Sequence, residues 1–169
     1  GAAGLAFLIP LLLAFGWEWR MQRLGNALQL TSFSRVPVVA EIASFPAGAR
    51  TRRRMLSRRV SRALRHFEES VHSLRTYLAL SEPLTGMKVL AVTSSISQEG
   101  KTSVATQLAL SYSKSTGRVL LIDGDMRSPD VHRIFEIERG QGLGDVLQGE
   151  VPLRDAINRQ WSEDIHILP

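Results

Sequence analysis

The residue types with the clearest chemical meaning lie together in the stretch 95–102, which reads Ser-Ile-Ser-Gln-Glu-Gly-Lys-Thr. It fits the phosphate-loop pattern Gly-x-x-x-x-Gly-Lys-Ser/Thr, except that serine replaces the first glycine. In such a loop, backbone N–H groups surround phosphate oxygens, Lys101 reaches the β- and γ-phosphates, and the Thr102 hydroxyl holds magnesium. The pattern therefore predicts binding of ATP with Mg²⁺. The predicted nucleotide contacts from this loop are Ser95, Gln98, Glu99, Gly100, Lys101, Thr102 and Ser103.

A second polar group, Asp123, Asp125 and Arg127, directly follows the apolar run Arg-Val-Leu-Leu-Ile at 118–122. Ligands of open parallel sheets bind outside the carboxyl ends of the strands, so we expect both carboxylates beside the phosphate loop. There they can hold Mg²⁺ through water and orient or deprotonate an attacking hydroxyl, and Arg127 can meet phosphate or pair with a carboxylate. An Asp-Gly-Asp turn without chemistry is the alternative. The candidate catalytic residues are Lys101, Asp123 and Asp125, and the candidate magnesium ligands are Thr102, Asp123 and Asp125.

The surrounding pattern alternates strands and helices. Residues 88–93 (KVLAVT) predict a buried strand, 103–114 a helix, 118–122 a second buried strand and 165–168 a third, with short helices between the last two. Continuous apolar strands joined through helices indicate an α/β fold, a P-loop nucleotide-binding domain whose parallel sheet is covered on both faces. Three strands are few for such a domain, so we expect the sheet to be incomplete at the C-terminus.

Residues 1–17 carry no charge and are rich in leucine and phenylalanine, and two arginines follow them at 20 and 23. This pattern predicts the C-terminal part of a transmembrane helix over 1–19, with the chain after about residue 20 in the cytoplasm. A buried helix of a soluble protein is the alternative. We expect a juxtamembrane linker over 20–50 and the N-terminal part of a cytoplasmic domain over 51–169.

From 52 to 80, apolar residues recur in steps of three and four, which predicts a long amphipathic helix. Eight arginines lie between positions 50 and 65 with no acidic residue among them, so the net charge of +5 becomes 5 − 8 = −3 without them. This local charge favours either a solvated helix face or attraction to anionic membrane lipid. Nucleic acid is not an expected partner, because aromatic residues that could stack on nucleobases do not interleave with these arginines. The absence of cysteine excludes disulfides and thiolate metal sites.

With both motifs placed, the chain resembles the bacterial tyrosine kinases and exopolysaccharide chain-length determinants, whose phosphate loop is of the partition-ATPase class. The run Asp123-x-Asp125-x-Arg127-x-Pro129 matches the family's companion acidic motif. The stretch GLGDVLQGE at 142–150 is also similar to the family's sequence. The resemblance implies an autokinase anchored in the bacterial inner membrane that transfers the γ-phosphate to tyrosines of neighbouring subunits in a homo-oligomeric ring. It also implies regulation of the machinery that polymerises and exports polysaccharide.

The chain departs from that family at several positions. Ser97 and Gln98 stand where the family loop has Pro-Gly, and the ring motif Glu-x-x-Arg-x-x-Arg becomes Glu69, His72 and Arg75. The resemblance places a third acidic motif and a tyrosine cluster after Pro169, so we expect the sequence to be a fragment. A partition or cell-division ATPase switch and a non-catalytic chain-length determinant remain the alternative functions.

Overall fold

The computed structural model describes residues 36–46, 58–81 and 86–169, together with positions 10, 12, 15 and 16. The chain divides into two compact units, Gly1–Glu41 and Ile42–Pro169. In the first unit the four isolated positions are helical, and residues 36–41 are irregular. Most of the predicted transmembrane segment lies outside the described residues. Among the helices that the described residues form, none has the length and apolar character needed to cross a bilayer.

The long helix of the second unit, α1, spans Arg58–Leu80. The first six residues of the predicted helix, 52–57, lie outside the described residues. Phe67, Val71 and Leu78 are buried on one face of α1, as the spacing of apolar residues predicts, and they pack with Leu108 of the next helix. Phe45 meets Phe67 edge to face, with ring centroids 5.2 Å apart. This apolar cluster fixes α1 against the helix that follows the phosphate loop.

That following helix, α2, spans Lys101–Thr116 and leads into strand β1, Val119–Ile122. Three short helices come next: α3 at Val131–Ile134, α4 at Leu143–Leu147 and α5 at Leu153–Ala156. Strand β2, Ile165–Leu168, pairs in parallel with β1 so that Val119 faces Ile165 and Ile122 faces Leu168. The predicted elements from 101 onwards are therefore confirmed, with boundaries shifted by a few residues.

The central core lies between this sheet and the helices around it. Ile165, Ile167 and Leu168 are at most 1% exposed, and Ile165 and Ile167 pack with Leu121 of β1. Ala109 of α2 joins the same cluster from the helix side. Because β1 and β2 are parallel, Ile122 and Leu168 end at the same edge of the sheet, and the chain leaves β1 there at Asp123. This edge is where ligands of parallel sheets bind.

The predicted strand over 88–93 is wrong. The segment carries no strand, since within the described part of the chain the sheet consists of β1 and β2, and Val89 is 81% exposed. The expected cover on both sheet faces is also incomplete, since Leu120 and Ile122 of β1 are exposed. An apolar run favours burial in a sheet, but a strand forms only where a neighbouring strand offers backbone hydrogen bonds.

We predict that Phe67→Ala lowers the free energy of unfolding by about 3–5 kcal/mol, because it leaves a cavity between α1 and α2 and removes the aromatic contact with Phe45. Tyr77→Ala, on the same helix but at a residue that is 46% exposed, is the matched control and is expected to change the value by at most about 0.5 kcal/mol. Urea unfolding followed by circular dichroism measures both. Equal losses for the two variants would contradict the packing described for α1.

Candidate active site

The phosphate loop has a backbone shaped for an anion. Gln98 has a φ of 67° and Gly100 a φ of 89°, both in the left-handed region, and residues in that conformation within a turn direct successive N–H groups into one concavity. Within the described part of the chain, nothing accepts a hydrogen bond from the N–H groups of residues 98–103. These groups continue into the first turn of the 16-residue helix α2, whose dipole also favours negative charge.

Lys101 and Asp125 meet directly at this loop. The Lys101 Nζ lies 2.6 Å from the Asp125 Oδ2, and both side chains are about a quarter to a third exposed. The hydrogen bond with Asp125 raises the pKa of Lys101 above its ordinary value of 10.5, and the charges of Asp125, Asp123 and Asp130 reinforce this rise. The same hydrogen bond, followed by one from the backbone N–H of Ser128, lowers the pKa of Asp125 below 3.8. Both groups are therefore charged at neutral pH.

Asp123 is buried and bonded to the backbone on both carboxylate oxygens. Its Oδ1 accepts a hydrogen bond from the N–H of Asp125 at 3.1 Å. Its Oδ2 accepts from the N–H groups of Asp130 at 3.0 Å and Val131 at 3.1 Å. The carboxylate therefore closes the loop between β1 and α3 and sets the position of Asp125. The sequence pattern identified Asp123 as a candidate for chemistry but gave no indication of this positioning role.

A cavity of about 320 Å³ lies where these parts meet. Its polar lining comes from Thr93, Lys101, Thr102, Asp123 and Asp125, and its apolar lining from Val92, Ala105, Ile122 and Val131. The structure thus brings together the side chains predicted for catalysis and for magnesium. Across the described residues there is no group of three or more His, Asp or Glu side chains that could hold a metal. Two carboxylates and a hydroxyl suit Mg²⁺, which keeps several waters and shares its coordination with phosphate oxygens.

The other predicted contacts lie around the cavity. Arg127 is exposed, and Ser103 lies in the first turn of α2, where its carbonyl accepts a hydrogen bond from Thr106. Ser95 and Glu99 bond to each other instead of lining the cavity. Pattern matching does not reveal this contact, because the loop template leaves position 99 unspecified.

The predicted ring residues lie away from the cavity on α1. Glu69 is exposed, and Arg75 is half-buried, with its Nε lacking a hydrogen-bond partner among the described residues. His72 faces α2 instead, where its Nδ1 lies 2.6 Å from the Oγ of the buried Ser111 and shares a hydrogen bond with it. Position 72 therefore contributes to packing between the two helices, whereas Glu69 is open to a partner.

Searches against known proteins give a consistent set of relatives. The chain is 29% identical to the putative tyrosine-protein kinase CapB of Staphylococcus aureus over 100 residues, which are 59% of this chain and 44% of CapB. It is 29% identical to the tyrosine-protein kinase YwqD of Bacillus subtilis over 121 residues, which are 72% of this chain and 50% of YwqD. This chain is a relative of the bacterial tyrosine-protein kinases. It spans about half the length of these two kinases, and no family model matches it.

The fold agrees with that relationship. The structure of this chain matches that of the kinase domain of the Escherichia coli tyrosine kinase ETK with a TM-score of 0.69 at 24% identity. The match covers 86% of this chain and 59% of the ETK domain. The family resemblance expected from the two motifs is confirmed by these comparisons, as is the α/β class of the fold.

We predict that Asp125→Asn lowers the pKa of Lys101, because the variant removes the hydrogen bond to a carboxylate and its negative charge. In the wild-type protein the ion pair is fully present between about pH 3.8 and 10.5. It is lost as the pH falls through the lowered pKa of Asp125 or rises through the raised pKa of Lys101. NMR titration of the lysine side-chain Cε resonances measures the shift. Lys114, exposed in the last turn of α2, is the internal control, and an unchanged Lys101 titration would contradict the ion pair.

Proposed function

We propose that this chain is the nucleotide-binding part of a protein-tyrosine kinase that uses ATP and Mg²⁺. The single observation that carries the proposal is the meeting of Lys101, Thr102, Asp123 and Asp125 around one cavity, beside backbone N–H groups that have no acceptor among the described residues. The names of the relatives support tyrosine as the acceptor. Phosphoryl transfer needs little beyond positioning and charge neutralisation, and this site offers both.

In the proposed reaction, the oxygen of a tyrosine hydroxyl forms a bond to the γ-phosphorus, and the bond from that phosphorus to the β–γ bridging oxygen breaks to release ADP. Lys101 binds the β- and γ-phosphates and so leaves its partner Asp125. The freed Asp125 carboxylate then orients the tyrosine hydroxyl and accepts its proton. Asp123 holds the loop in place, since its oxygens already accept three backbone hydrogen bonds. Mg²⁺, when bound by the Thr102 hydroxyl and carboxylate-held water, supplies further charge neutralisation.

The setting of this reaction is part of the same proposal. The apolar segment 1–17 would anchor the protein in the bacterial inner membrane, with the kinase on the cytoplasmic side. The arginines around the start of α1, of which Arg62 and Arg65 are exposed, would meet anionic lipid. Glu69, His72 and Arg75 would contribute to a ring of subunits that phosphorylate one another, and the output would be control of polysaccharide polymerisation and export. The exposed Glu69 supports the ring, whereas His72, at the middle position of the motif, faces α2.

We predict that Lys101→Ala weakens binding of Mg-ATP by about 100-fold or more, since it removes charge-assisted hydrogen bonds to the β- and γ-phosphates. Isothermal titration calorimetry measures the affinity of the chain. Lys114→Ala removes the same charge from the exposed end of the same helix and is expected to bind like the wild type.

Transfer is measured on the protein that carries this chain, with a glutamate–tyrosine copolymer as acceptor and phosphotyrosine as readout. The kinase proposal expects phosphotyrosine that requires Lys101. Lysine-dependent release of inorganic phosphate without phosphotyrosine would identify an ATPase switch instead. Undiminished binding by Lys101→Ala would refute the phosphate-loop assignment itself.

A further inference from the structure

Glu99 turns back onto the start of its own loop. One carboxylate oxygen, Oε2, accepts hydrogen bonds from the backbone N–H of Ser95 at 3.0 Å and of Ile96 at 3.3 Å. The Ser95 hydroxyl lies 3.2 Å from the same oxygen and 3.3 Å from Oε1. Three donors from two residues therefore converge on one carboxylate, which joins the beginning of the loop to its end.

The residue before Glu99 is held in an uncommon conformation. Gln98 has a φ of 67°, a left-handed value that side-chain crowding disfavours in residues other than glycine. A strained residue keeps such a conformation only when neighbouring contacts determine it. The Glu99 carboxylate supplies such contacts, because it fixes the chain on both sides of Gln98. Without them, Gln98 would be free to return to an ordinary φ and carry its neighbours' N–H groups away from the concavity.

The N–H groups used by Glu99 are not those available to phosphate. The carboxylate accepts hydrogen bonds from the N–H groups of residues 95 and 96, whereas the N–H groups of residues 98–103 have no acceptor in the described chain. Glu99 is also not among the residues that line the cavity. The carboxylate therefore does not occupy the phosphate position, and three donors partly compensate its negative charge. These contacts indicate a support for the phosphate site from outside it.

We infer that Glu99 is a positioning residue that keeps the phosphate loop formed before nucleotide arrives, by holding Gln98 in its left-handed conformation through Ser95 and Ile96. The inference rests on the proposed nucleotide site and adds a residue that acts on it without touching phosphate. Ser95 replaces the first glycine of the loop pattern, and its hydroxyl contributes one of the hydrogen bonds to the Glu99 carboxylate.

The test is the affinity for Mg-ADP measured by calorimetry in a set of loop variants. Glu99→Ala is expected to weaken binding about tenfold, because a left-handed non-glycine residue is disfavoured by about that factor once its support is removed. Glu99→Gln keeps an acceptor oxygen for the two N–H groups and is expected to stay within about threefold of the wild type. Adding Gln98→Gly to Glu99→Ala is expected to restore most of the affinity, since glycine adopts a positive φ without steric cost.

Glu163→Ala is the matched control for loss of one negative charge, because this exposed residue precedes β2 at the opposite end of the sheet from the cavity. It is expected to bind Mg-ADP like the wild type. Wild-type affinity in Glu99→Ala would overturn the inference, and tighter binding would do so as well by showing that the carboxylate opposes phosphate. A double variant as weak as Glu99→Ala alone would overturn the link to Gln98. Lys101→Ala is measured alongside as a test of the nucleotide site itself. If Lys101→Ala binds Mg-ADP like the wild type, the proposed nucleotide site is wrong. If Lys101→Ala binds weakly, the Glu99 results bear on the inference alone.

Discussion

The parallel pairing of β1 with β2 is the constraint on which the site depends, because it fixes where the chain leaves the sheet. The N–H of Asp123 bonds to the carbonyl of Leu168 at 2.9 Å and so continues the pairing by one residue beyond β1. The Asp123 side chain then accepts hydrogen bonds from three backbone N–H groups in the segment that follows β1. Burial of a carboxylate is unfavourable unless such donors meet it, and satisfying this one requires the loop to fold toward the cavity. The position of Asp125, and through it that of Lys101, follows from this arrangement.

The helices add a second constraint from the opposite side of the site. Lys101 and Thr102 begin α2, so any rotation of that helix would move both away from the carboxylates. The apolar cluster around Phe67 and Leu108 and the hydrogen bond between His72 and Ser111 hold α2 against α1. Residues far from the cavity therefore determine the separation of the charged groups within it. Conservative changes in this packing are expected to act on nucleotide affinity through helix position.

The elements that could be predicted from the sequence are those whose cause is local. The position of Asp123 and Asp125 follows from an acidic motif that directly succeeds the apolar strand β1, because ligands of parallel sheets bind at the carboxyl ends of the strands. The segment 88–93 could not be assigned correctly, since its apolar residues carry no information about whether a neighbouring strand is present to pair with them. The inward direction of His72 depends on a tertiary neighbour, Ser111, and the return of Glu99 onto Ser95 depends on the side-chain rotamer of Glu99 within the folded loop. A motif written as residue types specifies neither.

The ion pair between Lys101 and Asp125 makes nucleotide binding an exchange of partners for the lysine rather than a simple addition. Part of the attraction between Lys101 and phosphate replaces the attraction that Lys101 already has for Asp125, and the released carboxylate must be rehydrated or given a new partner. Salt screens the pair and the lysine–phosphate contact in the same direction. The effect of salt on the Lys101–Asp125 pair therefore partly cancels its effect on the lysine–phosphate contact when the free and nucleotide-bound proteins are compared. The affinity of this site should accordingly vary less steeply with ionic strength than the charge of the nucleotide alone would suggest.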